Sequence, residues 1–336
     1  MQKKYYRWLL FLGILLCLTG TAVMLALCIG EINYSPKELF HILCGNGNDI
    51  RAEILWKLRF PRILLGMIVG GALSLSGAIL QGIFRNPLVE PYTLGISGGA
   101  SLGVVFIIVF SLEFMWGTLT LPLSGLLGAL GTLILIYLIA MKKRSVQIKT
   151  LLLTGVMISF LSSSVMMLML SITRVDKLKG IMFWIMGGLN ETNGFLIGAV
   201  GVIAILVLLL SIGYAPTLNV MRLGMERATQ LGVNTEKSVR ILFIFSSLLT
   251  GICVSVAGVI GFIGLIIPQL VRYIVGTDYR ILLISSFLGG GIFLVLCDIL
   301  ARTLIAPNEL PIGVITGITG GVLFILVMAR GNKNSV

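Results

Sequence analysis

The stretch from Arg59 to Ala100, RFPRILLGMIVGGALSLSGAILQGIFRNPLVEPYTLGISGGA, sets glycine, proline and uncharged polar residues inside an apolar run long enough to cross a bilayer. A plain anchor has no use for them. In hydrocarbon every backbone N–H and C=O must be paired, so a segment interrupted by Asn86-Pro87 and Glu90-Pro91 is tolerable only where protein or a water-filled cavity surrounds it. The stretch therefore reads as part of a pathway.

Working outward, a chain of 336 residues that is 57% hydrophobic and 11% charged cannot cover its apolar surface as a water-soluble monomer. It reads as a polytopic membrane protein. Its first apolar segment, Trp8 to Gly30, follows Lys3, Lys4 and Arg7 in the manner of a secretory signal. That segment is too long for one and closes on no small-x-small site, which predicts a retained first helix with a cytoplasmic N-terminus. With alternate loops assigned to the two sides, sixteen of the 25 basic residues fall inside, Arg85, Arg222 and Arg272 among them, against the acids Glu90, Glu226, Glu236 and Asp278. The positive-inside rule thus accounts for the net charge of +12, and no nucleic acid is needed.

Ten apolar runs are bounded by charged or Gly/Pro/Asn punctuation, at about 8–30, 61–84, 94–111, 118–141, 150–172, 193–213, 238–262, 263–275, 280–304 and 311–329. This predicts an all-α polytopic fold with about ten transmembrane helices in a single domain, residues 1–336, with both termini cytoplasmic. The eighth run reaches only about 20 Å and is expected as a partial helix inside the bundle. Ser35-Pro36-Lys37-Glu38 is a capping box opening a short outer helix. Val175 to Gly188 is amphipathic and carries Trp184, as an interfacial or re-entrant helix would. The second and seventh runs each lead into a Gly/Pro-interrupted stretch, a hint of inverted repetition.

Enzyme chemistry is missing from the sequence. No G-x-x-x-x-G-K-[ST] occurs, so any ATP that drives the chain binds to a partner. There is no HExxH and no His-based triad, His41 being the single histidine and an ordinary polar residue of the short outer helix. Five cysteines (Cys17, Cys28, Cys44, Cys253 and Cys297) lack CxxC spacing, so neither a disulfide framework nor a metal site follows. Asp298 is the main acid within an apolar run, placed to pair with Arg302 one turn later or to face the outer surface.

Several motifs occur in order: Arg59-Phe-Pro-Arg62, Gly77-x-x-x-Gln81, Asn86-Pro-Leu-x-x-Pro91, Leu94-Gly-x-Ser97-x-Gly-Ala100, Trp184-x-x-Gly-Gly188, Gln230-Leu-Gly232, Gly258-x-Ile-Gly-Phe-Ile-Gly-Leu-x-x-Pro268 and Glu309-Leu-Pro-x-Gly313. Together they make nearly the whole chain resemble the permease subunits of type II ABC importers, which take up iron-siderophores, haem and cobalamin. One departure is Gln269, where many members carry histidine.

The resemblance implies a homodimer in the cytoplasmic membrane, surrounded by lipid. It would work with two cytoplasmic ATP-binding subunits, which hold the ATP and magnesium, and one extracytoplasmic substrate-binding protein. The chain itself would need no cofactor. Arg59, Arg62 and Arg302 match the outer arginines that receive glutamates of the binding protein, a role suited to the forked guanidinium. The segment at about 215–236 matches the part that docks in the ATPase. Leu218, Met221, Leu223, Met225, Leu231 and Val233 would be its apolar anchors, with Gly224 and Gly232 at its turns. Gln81, Asn86, Ser97, Met157 and Ser163 are the candidate pathway residues. An ion- or proton-coupled secondary transporter and a non-transporting scaffold are the alternatives that the residues leave open.

Overall fold

The computed structural model describes residues 2–30, 32–43, 50–112, 117–142, 145–146, 148–305 and 308–331. Cys44 and parts of the basic 142–149 loop lie outside these residues. Helix α1 (Gln2–Cys28) is followed by α2 (Pro36–Leu43) and α3 (Ile50–Ile54), which runs through a π-helical turn (Leu55–Arg59) into α4 (Phe60–Phe84). The predicted capping box opens α2: Glu38 N–H donates to Ser35 Oγ at 3.2 Å, and Ser35 N–H to the Glu38 carboxylate at 3.4 Å.

After α5 (Ile96–Val109) and α6 (Thr120–Ala140), Met141–Lys142 and Ser145–Val146 form a minimal antiparallel ladder, β1 and β2. Helices α7 (Ile148–Ile172), α8 (Val175–Ile185) and α9 (Gly194–Gly213) follow, then the short α10 (Ala215–Met221) and α11 (Met225–Gln230). Helices α12 (Thr235–Ala257), α13 (Ile263–Val275), α14 (Tyr279–Thr303) and α15 (Ile312–Gly331) are the last elements among the described residues. Asn193 and Asn234 cap α9 and α12 through their side-chain oxygens, as short polar residues do at helix starts.

Every apolar run read from the sequence holds a helix. Among the described residues, seven helical stretches are long and apolar enough to cross a membrane, while α5, α13 and α15 are shorter apolar helices. Two of the boundaries that differ from expectation have a clear local cause. The second run begins eleven residues early, because α3, the π turn and α4 form one 35-residue helix from Ile50, about 50 Å long. The seventh run ends at Ala257 rather than near 262, because Gly258 (φ +67°) and Phe262 (φ +69°) both leave the right-handed helical region.

That break is buried among other irregular backbone, which satisfies its polar groups. Gly188 N–H donates to Ala257 O at 2.9 Å, and Ile260 N–H to the Tyr92 hydroxyl at 2.8 Å. Ile312 and Gly313 N–H groups reach Gly187 O and Met186 O at 3.1 and 3.0 Å. Four segments at helix ends and breaks thus pair with each other rather than with hydrocarbon.

Helix α4 is the centre of the bundle, with 83% of its apolar window buried, whereas α1 and α7 each bury 17% and are peripheral. It packs most closely on α14, and also on α12 and α13. Glycine makes this possible: a Cβ on Gly77 would lie 1.9 Å from Gly264 O of α13, and one on Gly70 2.3 Å from Gly290 O of α14. Gln81 Nε2 then donates to Gly264 O at 3.0 Å and Leu265 O at 3.2 Å. Gln269, the departure noted above, donates to Pro87 O at 2.9 Å and ties α13 to the turn after α4.

Candidate functional site

Two ends of the bundle gather the charged residues. At one end, Arg62 stands in the first turn of α4, Asp298 and Arg302 lie one turn apart on α14, and Glu309 precedes α15. Arg62 Nε donates to Asp298 Oδ1 at 2.8 Å, and its Nη1 to both Glu309 oxygens at 2.9 Å. Arg302 Nε lies 3.0 Å from Asp298 Oδ2, an ion pair without hydrogen-bond alignment. The buried carboxylate of Asp298 therefore faces two guanidiniums, and the pairing of Asp298 with Arg302 read from their spacing is present.

Arg59 stands apart from this network. Its guanidinium donates to Leu27 O at 2.7 Å and to Ile32 O, and sits 4.7 Å over the Tyr34 ring. It closes the end of α1 onto α4. Arg59 and Arg302 are only 6% and 5% exposed, while Glu309 keeps 40% of its side chain exposed. All three arginines nevertheless line one cavity of about 400 Å³ together with Asn190, Thr192 and Glu309. An adjoining cavity of about 480 Å³ shares Arg62, Asn190 and Glu309. Sequence reading placed the arginines at a common mouth but missed Glu309 as the partner of Arg62. Its position in the Glu309-Leu-Pro motif was the available signal.

At the other end, α10 and α11 form the predicted segment, turned by Gly224 (φ +120°) and Gly232 (φ +85°). A Cβ on Gly232 would touch nothing within 4 Å, so glycine is required there by backbone conformation alone. The expected anchors divide by burial. Leu218 and Met221 are fully buried in the chain's own core and offer no surface to a partner; Met225 and Val233 are partly buried against it. Leu223 and Leu231 are exposed. The amphipathic pattern of so short a helix does not say which face is already occupied.

Asp278 fastens this segment. It caps α14 by accepting from Arg280 N–H at 3.2 Å, takes hydrogen bonds from Asn219 Nδ2 at 2.9 Å and Lys4 Nζ at 3.0 Å, and sits beside the Arg222-to-Thr277 O bond of 2.8 Å. Burial raises its pKa, but the hydrogen bonds from Asn219, Lys4 and Arg280, with the Lys4 charge, outweigh that and hold it below the ordinary aspartate value. Lys4 thereby places the start of α1 at the same end as α10.

The pathway candidates are not brought together in one chain. Gln81 is buried between α4 and α13, Asn86 accepts from Leu88 N–H at 2.9 Å in the turn after α4, and Ser97 is buried in α5. Met157 and Ser163 lie on the exposed side of α7. No cluster of three or more metal-ligating side chains occurs among the described residues.

Residues 16–330 match the FecCD transport family. The chain belongs to that family. As a FecCD protein it is an ABC transporter permease of the cytoplasmic membrane, a transport subunit rather than an enzyme. It is 35% identical to the hemin transport system permease protein HmuU of Yersinia pestis over 323 residues, covering 96% of each chain. It is 34% identical to the iron(3+)-hydroxamate import system permease protein FhuG of Bacillus subtilis over 340 residues, covering 99% of this chain and all of that one. A solved inward-facing structure of a metal-chelate type ABC transporter superposes with a TM-score of 0.84 at 30% identity, over 96% of this chain and 99% of that one.

Proposed function

We propose that this FecCD chain is the permease of an ATP-driven importer of a metal chelate, with a ferric siderophore as the favoured cargo. Whole-length similarity to permeases named for haem and ferric hydroxamate uptake carries this reading. The chain would act as one permease domain in a homodimer, with two cytoplasmic ATP-binding subunits and one extracytoplasmic binding protein, and with both termini in the cytoplasm. The exposed face of α7 supports the dimer, since Met157 and the small Ser163 are exposed there on a helix long enough to span the membrane, and small residues favour close helix contact. A proton-coupled mechanism finds less support, because Asp298 is committed to two arginines.

In this reading Arg62 docks the binding protein by exchanging Glu309 for an incoming carboxylate, while Arg59 and Arg302 hold the mouth in shape. The exposed Leu223 and Leu231 touch the ATPase, and Asp278 keeps α10 aligned with α14. ATP binding on the partner biases the permease between inward- and outward-open states. Reconstitution into vesicles with the partner ATPase and binding protein tests the proposal. Vanadate-sensitive, ATP-dependent uptake of a ferric siderophore is expected; uptake driven by a proton gradient without ATP would overturn it.

A further inference from the structure

Between the end of α4, the segment after α10 and the turn from α13 to α14 lies a cleft of about 290 Å³ lined by Gln81, Arg85, Asn86, Arg222, Arg272 and Tyr279 among others. Three guanidiniums share it, and no carboxylate lines it. None of the three takes part in a salt bridge among the described residues, unlike Arg62 and Arg302 at the opposite end. Arg272 hydrogen-bonds Tyr279 and feels the Arg222 charge, yet its Nη2 is buried with no hydrogen-bond partner. Arg85 is held at φ +52°, a backbone conformation unfavourable to a residue with a side chain, and its Nη1 reaches to within 3.8 Å of where a Cβ on Gly224 would stand.

Like charges converging without a counter-ion repel one another, and a buried guanidinium nitrogen without an acceptor loses its hydration uncompensated. Both penalties are relieved by an anion in the cleft. Three guanidiniums exceed what one carboxylate neutralises and match a doubly charged oxyanion whose several oxygens can take forked hydrogen bonds. We propose that this cleft is an anion site for a phosphate monoester group, held by Arg85, Arg222 and Arg272 and closed by the Tyr279 hydroxyl. A bound group there bridges the end of α4, the α10–α11 segment and α13, adding a charged link to the packing of α4 against α10 and α13. The group can come from free phosphate or from the headgroup of phosphatidic acid, since the cleft opens at the end of the bundle where Lys4 and Arg280 also lie.

Full-length protein in phosphatidylcholine nanodiscs, titrated with radiolabelled orthophosphate at constant ionic strength, tests this. Native mass spectrometry of the same protein in discs containing phosphatidic acid forms the second arm. Saturable binding of one phosphate per chain, or retention of one phosphatidic acid, is expected, weakened at least about tenfold in Arg85→Gln and Arg222→Gln. Both substituted residues are exposed, so the variants keep the fold, and Lys179→Gln on a separate exposed helix should bind as the parent does. Orthophosphate binding alone assigns the site to a free anion, and phosphatidic acid retention alone assigns it to a lipid headgroup. Absence of both, or binding indifferent to the two arginine variants, overturns the proposal. Neither probe binding while Arg85→Glu abolishes association with the partner ATPase would also overturn it, giving the arginines to a protein carboxylate.

Discussion

At one end of the bundle Arg62 and Arg302 are gripped by Asp298 and Glu309 of the same chain, whereas at the other Arg85, Arg222 and Arg272 share a cleft without a carboxylate. The same residue type is thus used in two electrostatic states. Where the chain supplies its own counter-charges, an outside ligand must exchange with one of them, and the exposed Glu309 is the replaceable partner. Where it supplies none, an outside anion adds charge balance that folding left unfinished. Removing an acid from the first end and removing a base from the second should therefore have opposite consequences for stability.

The sharpest way to break that contrast is Asp298→Ala, which strands the 5% exposed Arg302 guanidinium and leaves Arg62 with Glu309 alone. Loss of one member of a buried ion pair costs about 3–5 kcal/mol. Thermal unfolding in detergent micelles should show a large fall in Tm, and a variant as stable as the parent would mean that the network is ornamental. Next in size is Gly232→Val, which forces a β-branched residue to φ +85°, at a local cost of about 1–2 kcal/mol. In vesicles with the partner ATPase, it should leave ATP hydrolysis running while uptake falls. Normal uptake would detach this turn from the transmission of ATP-driven motion.

A smaller effect is expected at Glu309→Gln. It gives up a partly exposed ion pair worth about 0–1 kcal/mol. It also releases Arg62, tightening the binding protein's affinity by up to about fivefold. Surface plasmon resonance would read this. If Arg62→Glu weakens docking but Glu309→Gln leaves it unchanged, then Glu309 does not compete for the arginine. Smallest is the pH response of Asp278. Its folded-state pKa is lowered, so its stabilising contribution is complete above the unfolded value of about 3.9 and is lost as pH falls through the lower folded value. Unfolding curves should be flat in this respect from about pH 7 to 5 and diverge from those of Asp278→Asn only as the parent's advantage disappears in stronger acid.

The sequence made the helices legible because apolar runs and their punctuation are local. The irregular turn at Asn86 to Leu94 was visible for the same reason, since proline announces it without reference to distant residues, whereas the break after Ala257 was placed near 262 because the apolar run continues through it. The partners at the two ends were not. Arg62 and Glu309 are 247 residues apart, and nothing in either neighbourhood names the other. Arg85, Arg222 and Arg272 were seen only as topological charge, each in its own loop or helix end, so their convergence was invisible. The burial of Leu218 and Met221 was not legible because an apolar residue in a seven-residue helix can as easily cover the chain's own core as face a partner. Arg59 was read as one of three outer arginines; its bonds to the carbonyls of Leu27 and Ile32, some thirty residues earlier, were not legible because no local signal names them.

The glycine contacts of α4 bear on how such a molecule moves. At Gly70 with Gly290 and Gly77 with Gly264, main chain meets main chain with no side chain between. Side chains can change rotamer and let helices slip past each other; bare backbones cannot, because a small displacement in one direction collides and in the other opens a void. Helices α4, α13 and α14 are therefore geared to turn as one block, and the relative motion that opens a passage falls to the lightly buried α7 and the helices beside it.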